Sequence, residues 1–301
     1  MKLTQAIFDV LVYIETKQNL ILDRNDLLKS CFLSNDRVND IISLLQQEQL
    51  IYKIESQRYR VTDKGYKLLE PYKVKRAILI AAGFGSRMKP ITINTPKPLV
   101  RVHGKRLIET LLDALIEKGI TEIHIVRGYL GEQFEELKTK YPNIRLYTND
   151  KYTNENNISS AMLVKDLYSN AYVMDADLYL KNKDIIRKYE FSSNYLGVYT
   201  ESTDDWILVE KDSKVVGMKR EGTNCHLMVG LSFWDKENAN FFKEDIIKLY
   251  NTPSGKNCYW DDVVLGELNS HYNISVRKCH SEDIIEIDSF EELKEIDKIY
   301  K

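Results

Sequence analysis

Residues 77–99 begin Ala77-Ile78-Leu79-Ile80-Ala81, continue Ala82-Gly83-Phe84-Gly85-Ser86-Arg87-Met88 and, after a short gap, reach Thr95-Pro96-Lys97-Pro98-Leu99. An apolar run of this length, with no breaker inside it, predicts a strand buried on both faces. Gly83 and Gly85 then permit a tight exit on which backbone amides can face phosphate oxygens. Arg87 can bridge such oxygens with its planar fork, and Lys97 can add a point charge. Two glycines after a strand are weak evidence alone, because ordinary strand exits use them too. The dinucleotide fingerprint fails at Met88, which stands where a third glycine is needed, and the phosphate-loop kinase motif is absent.

Outward from this loop the pattern alternates. Leu107 to Lys118 reads as an amphipathic helix ended by Gly119, Glu122 to Val126 as a strand, and Gly131 to Tyr141 as a helix. Ile144 to Tyr147 and Ala171 to Met174 read as further strands. Such alternation with short loops predicts an α/β fold with an open, mostly parallel, Rossmann-like sheet that binds ligands at the carboxyl ends of its strands. The last strand runs into Asp175-Ala176-Asp177, two acids that share a face by alternation. Acids at a strand end suit a hard cation held together with a triphosphate. They also suit a solvated turn.

Residues 1–73 have another texture. Leu3, Ile7, Val10, Leu11 and Ile14 keep helical spacing, Asp23 caps a second helix and Ser34 a third. Two β-prone pieces, 50–54 and 58–61, precede a helix capped by Thr62. This is the element order of a small winged-helix domain. The candidate recognition helix, Asn35 to Gln49, sets Asp36, Asp40 and Glu48 against Arg37, the wrong sign for phosphates. Over residues 1–73 eleven lysines and arginines face ten acids. We therefore expect a packing or homodimerisation module, with nucleic acid not expected as a partner. A transferase domain is expected over 76–301.

Composition narrows the classes further. A formal net charge of −2 over 301 residues gives no global field for a polyanion. Four scattered cysteines, Cys31, Cys225, Cys258 and Cys279, show no zinc or disulfide spacing. Neither a signal peptide nor a membrane span is read, so a cytoplasmic protein without a membrane partner is expected.

The run Ile80-Ala81-Ala82-Gly83-Phe84-Gly85-Ser86-Arg87 with Pro96-Lys97-Pro98-Leu99 resembles the signature of the nucleoside-triphosphate transferase family. Within it, residues 76–301 are similar to bacterial CTP:phosphocholine cytidylyltransferases. The resemblance implies that Ala82, Gly83, Gly85, Ser86 and Arg87 cradle the triphosphate, with Arg87 and Lys97 as catalytic groups. It implies base or ribose contacts for Gly128, Tyr129, Asn157 and Ser159, although Asn156 to Ser160 also reads as a plain helix start. It implies Mg²⁺ on Asp177 and Asp288. Trp206, Trp234 and Trp260 each stand beside acids, the ingredients of a quaternary-ammonium cage, or equally of a core. The resemblance implies a choline pocket of Trp206, Trp234, Tyr259, Trp260 and Asp261, with CTP and phosphocholine as substrates. Phosphoethanolamine, 2-aminoethylphosphonate or a sugar 1-phosphate are the alternative acceptors, and a nucleotide-sensing regulator is the alternative of another class.

Overall fold

The computed structural model describes every residue except Asn19, Ser56, Glu267 and Leu268. The chain divides into two compact units, one of residues 1–74 together with 187–191, the other of residues 75–186 and 192–301.

The first unit holds helices α1 (Gln5–Lys17), α2 (Arg24–Cys31) and α3 (Asn35–Gln47), the antiparallel strands β1 (Ile51–Glu55) and β2 (Arg58–Val61), and helix α4 (Asp63–Leu69). Each helix starts where a short polar side chain accepts from the first-turn amides: Thr4 from Ile7, Asp23 from Asn25 and Asp26, Ser34 from Arg37, Thr62 from Gly65. The core comprises Phe8, Leu11, Leu27, Val38 and Leu45, all fully buried, each such side chain contributing about 1.5–3 kcal/mol on burial. Residues 187–191 complete it. Tyr189 is buried in that core, Phe191 lies 5.2 Å from Phe8 and stacks on Tyr72, and Arg187 meets Asp9 at 2.6 Å.

The second unit is built on β3 (Arg76–Ala81), the β4–β5 ribbon (Arg101–Val102, Lys105–Arg106), α5 (Leu107–Glu117), β6 (Glu122–Arg127), α6 (Leu137–Lys140), β7 (Ile144–Thr148), α7 (Ile158–Leu163), β8 (Ala171–Asp175) and β9 (Leu178–Leu180). A long hairpin, β10 (Asn194–Lys211) and β11 (Lys214–Trp234), follows. Then come α8 (Lys236–Tyr250), α9 (Asp262–Leu265), β12 (Ser275–Cys279), β13 (Ile284–Glu286) and α10 (Phe290–Ile296). Seven strands form one sheet in the order β12-β10-β11-β8-β3-β6-β7. β3 pairs parallel with β6 and β8, and β6 parallel with β7, as the strand-helix alternation predicts. The hairpin makes the sheet mixed, since β11 runs antiparallel to both β8 and β10. The residues expected as a helix over 131–141 are a 3₁₀ segment, Gly131–Glu136, and the short α6.

Two arrangements position the site. β3 and β8 are neighbours in register Ile80 to Asp175, so the loop after β3 and the acids after β8 leave the same edge. β13 pairs with β9 in register Glu286 to Leu178, which brings the residues around 286–288 beside Asp177.

Candidate active site

A cavity of about 560 Å³ lies over the carboxyl ends of β3 and β8. On one side it is lined by Ala82, Gly83, Phe84, Gly85, Ser86 and Arg87, and Lys97 and Pro98 follow them around the wall. Gly85 is left-handed at φ +60°, and a Cβ there would stand 2.8 Å from the Cβ of Lys97, so loop and lysine fit only with glycine. Thr92 donates to the Gly85 carbonyl at 2.8 Å and Tyr129 donates to the Thr92 and Ile93 carbonyls, which fixes the turn from beneath. Gly128 packs against the Ala82 carbonyl and the Tyr152 ring. Gly128 and Tyr129 therefore brace the loop and do not line the cavity.

Lys97 is buried, and its ammonium donates at 2.7 Å to both Asp177 Oδ2 and Asp288 Oδ1. Burial alone would depress its pKa, but the two carboxylates outweigh that and hold it above the ordinary lysine value. Arg87, largely exposed, meets Asp288 at 2.9 Å. The Glu292 side chain accepts from the amides of Asp288 and Ser289, and Ser289 caps α10 in return. This capping box orients Asp288.

Glu286 joins the pair. Asp177, Glu286 and Asp288 each offer an oxygen within 4.8 Å of the others. Glu286 keeps part of its surface in solvent, but the protein packed around its carboxyl, then Asp177 and Asp288, push that carboxyl up to about 8. Asp175 is likewise raised, by burial first and Asp177 second. A Cβ on Gly230 would meet its Oδ2 at 2.3 Å, so Asp175 is accommodated by a missing side chain on β11. Among the described residues, Asp177 Oδ1 is buried without a hydrogen-bond partner. An orphaned carboxylate oxygen beside two more acids fits a hard divalent cation, and Lys97 supplies the compensating charge here. Sequence reading missed Glu286, although Ile285-Glu286-Ile287-Asp288 alternates so as to put both acids on one face.

Asn149 donates from its buried amide at 2.9 Å to the hydroxyls of both Ser159 and Ser160. Asn157 lines the cavity, and its side chain accepts from the Trp260 amide at 2.9 Å, which ties this wall to residues 259–261. Ser159 is buried behind the wall, donating to the Asn156 carbonyl.

The far wall comes from the hairpin. The register of β10 against β11 shifts between Thr203 and Trp206, a bulge that carries Asp205 and Trp206 to the cavity. The Trp206 ring lies 6.5 Å from Tyr259 in an edge-on arrangement, and the Arg220 guanidinium sits over it at 5.4 Å. Asp261 completes this wall. Its buried carboxyl accepts from Tyr195 at 2.9 Å, and burial raises it to about 7. The structure seats Trp234 and Trp260 elsewhere. Trp234 is 1 % exposed in the core with Tyr168, Phe242 and Tyr272, its indole donating to Ser232. Its neighbour Asp235 caps α8 and accepts from Ser193. Trp260 is 3 % exposed and stacks on Tyr195. Neither lines the cavity; of the five residues expected at a choline pocket, Trp206, Tyr259 and Asp261 do.

The model of the family described as nucleotidyl transferase matches residues 76–207. The choline-phosphate cytidylyltransferase of Streptococcus pneumoniae is 40 % identical over 228 residues, 75 % of this chain and 98 % of the relative. The chain belongs to the nucleotidyl transferase family. It is an enzyme of that family, and the 2-aminoethylphosphonate cytidylyltransferase of Lancefieldella rimae is a second relative, 35 % identical over 74 % of this chain and 92 % of its own length. The solved structure of the CTP:phosphocholine cytidylyltransferase from Streptococcus pneumoniae superposes with a TM-score of 0.70, covering 75 % of this chain and 99 % of that one. No described helix is long and apolar enough to cross a membrane.

Proposed function

We propose that this enzyme transfers the cytidylyl group of CTP to phosphocholine, giving CDP-choline and pyrophosphate. The carrying observation is the wall opposite the loop: the Trp206 face already holds a cation, with Tyr259 edge-on to it and Asp205 and Asp261 on the same wall. A quaternary ammonium offers no N–H, so it is held by aromatic faces and nearby negative charge. The 40 % identical relative named for choline phosphate supports this acceptor.

In the reaction an oxygen of the acceptor phosphate attacks the α-phosphorus of CTP, the bond to the β-phosphate oxygen breaks, and pyrophosphate carries off the electron pair. A phosphate monoester is largely dianionic at neutral pH, so no protein base is required. Asp177, Glu286 and Asp288 would hold Mg²⁺, which supplies charge neutralisation to the triphosphate. Lys97 reaches the α-phosphate, Arg87 the β- and γ-phosphates, and the Gly83–Gly85 turn gives the chain its close approach. Asn157 orients the nucleoside and couples its seat to residues 259–261. The enzyme works in the cytoplasm.

The relative named for 2-aminoethylphosphonate favours a second acceptor, since the same acids would pair with a primary ammonium. Pyrophosphate release measured for CTP, UTP, dTTP and ATP against phosphocholine, phosphoethanolamine, 2-aminoethylphosphonate and a sugar 1-phosphate decides the matter. Turnover with the sugar phosphate alone removes the proposal.

For the first unit we propose a winged-helix module used in packing or homodimerisation. α3 exposes Asp36 and Asp40 beside Arg37, a surface that repels a phosphate backbone. A flat gel-shift titration against duplex DNA at low salt is the expected result.

A further inference from the structure

Trp206 and Arg220 face one another across the hairpin, paired directly in the register of β10 and β11. Cross-strand partners project on the same side of a sheet, and both residues line the cavity. The guanidinium carbon stands 5.4 Å from the ring centre, inside the distance at which a cation is held by an indole. Arg220 is solvent-exposed, so water offers it a second environment of nearly equal quality. The ring that would receive the ammonium of the acceptor is thus already engaged by a cation of the protein itself.

We infer that Arg220 is a built-in competitor for the cation seat on Trp206 that sets the apparent affinity of every acceptor whose ammonium uses that ring. The inference rests on the amine-phosphate reading above. One indole cannot serve two cations of like charge at contact distance, so acceptor binding requires the guanidinium to leave. The apparent affinity is then the intrinsic one reduced by the fraction of molecules in which the ring is free. A quaternary ammonium is poorly hydrated and displaces the guanidinium readily. A primary ammonium must first surrender strong hydration for the same ring, so it displaces the guanidinium less well. Arg220 therefore lowers the apparent affinity for either ammonium by one and the same factor, and their ranking on the ring is left to their hydration.

The test uses the full chain with R220Q, and with R220K as a variant that keeps a weaker competing cation. R220Q is expected to lower the KM for phosphocholine and that for 2-aminoethylphosphonate by the same factor, about two- to fivefold, and to leave the KM for CTP in place. R220K is expected to fall between R220Q and the parent. Tetramethylammonium, which has no phosphate, is the second probe, its binding followed by tryptophan fluorescence. It is expected to bind R220Q more tightly by the same two- to fivefold. A raised KM for phosphocholine in R220Q, with tetramethylammonium binding unchanged, overturns the inference and makes Arg220 a phosphate ligand. Amine-phosphate turnover with no shift in either measurement overturns it as well while leaving the acceptor reading intact. A parent enzyme that uses no amine phosphate and binds no tetramethylammonium removes both.

Discussion

Lys97 Nζ donates at 2.7 Å to Oδ1 of Asp288, a residue 191 positions further along the chain. That bond, with its equal to Asp177, joins the cavity-lining lysine to two of the three acids fit to hold a cation. Replacing Asp177 or Asp288 by Asn keeps the shape and removes a charge. Each variant is expected to lose about 10²-fold or more in metal-dependent kcat/KM with circular dichroism unchanged. Glu286→Gln is expected to be milder, raising the Mg²⁺ concentration for half-maximal pyrophosphate release. Full activity in the Asp177 variant would falsify the metal assignment.

The tryptophans separate into one that lines the cavity and two that fill space. Trp206→Ala is expected to raise the acceptor KM about fivefold or more with a small change in unfolding free energy. Trp234→Ala is expected to cost about 3–5 kcal/mol of stability, whereas Trp234→Phe folds and keeps the parent acceptor KM. Urea unfolding and steady-state kinetics on the same samples check both halves.

Asp261 gives a pH dependence whose sign follows from its buried carboxyl. Folding raises its pKa to about 7, so between the ordinary carboxylate value, near pH 4, and pH 7 the folded chain holds a proton that the unfolded chain has released. Stability from this group is complete below about pH 4 and is lost as pH rises through about 7. Asp261→Asn does not titrate. The melting temperature of the parent minus that of Asp261→Asn is therefore expected to decline from pH 5 to pH 8, and a flat difference would contradict the assignment.

Much of this was readable in advance where the signal is local. The strand from Ala77, the turn through Gly83 and Gly85, and the acid at Asp177 announce themselves within a few residues, whereas Asp288 was named only through the family resemblance. The three cap residues Asp23, Ser34 and Thr62 announce helix starts in the same way. What was not readable depends on side-chain direction and distant pairing. Trp206 and Trp234 share the same neighbour chemistry, but a bulge turns the first to the cavity, while the second, two residues along a buried strand from Ser232, points into the core. Glu286 acquires meaning only because β13 pairs with β9. The long hairpin was invisible as such, since its alternation is interrupted by bulges.

A chain cut to begin at residue 75 leaves Tyr189 and Phe191 without the side chains of α1 and residues 70–72 that cover them. That truncation is expected to be less soluble than the full chain, and Tyr189→Ser with Phe191→Ser to restore solubility while the family's catalytic residues remain in place. Equal solubility of full and shortened chains would count against it.

Residues 187–191 also set an order of events during synthesis. The first unit is encoded mainly by residues 1–74, yet its core is incomplete until residue 191 has emerged from the ribosome. Strands β3, β6, β7 and β8 are made before then. The module translated first is thus finished late, and its maturation waits on a stretch of chain that follows most of the sheet.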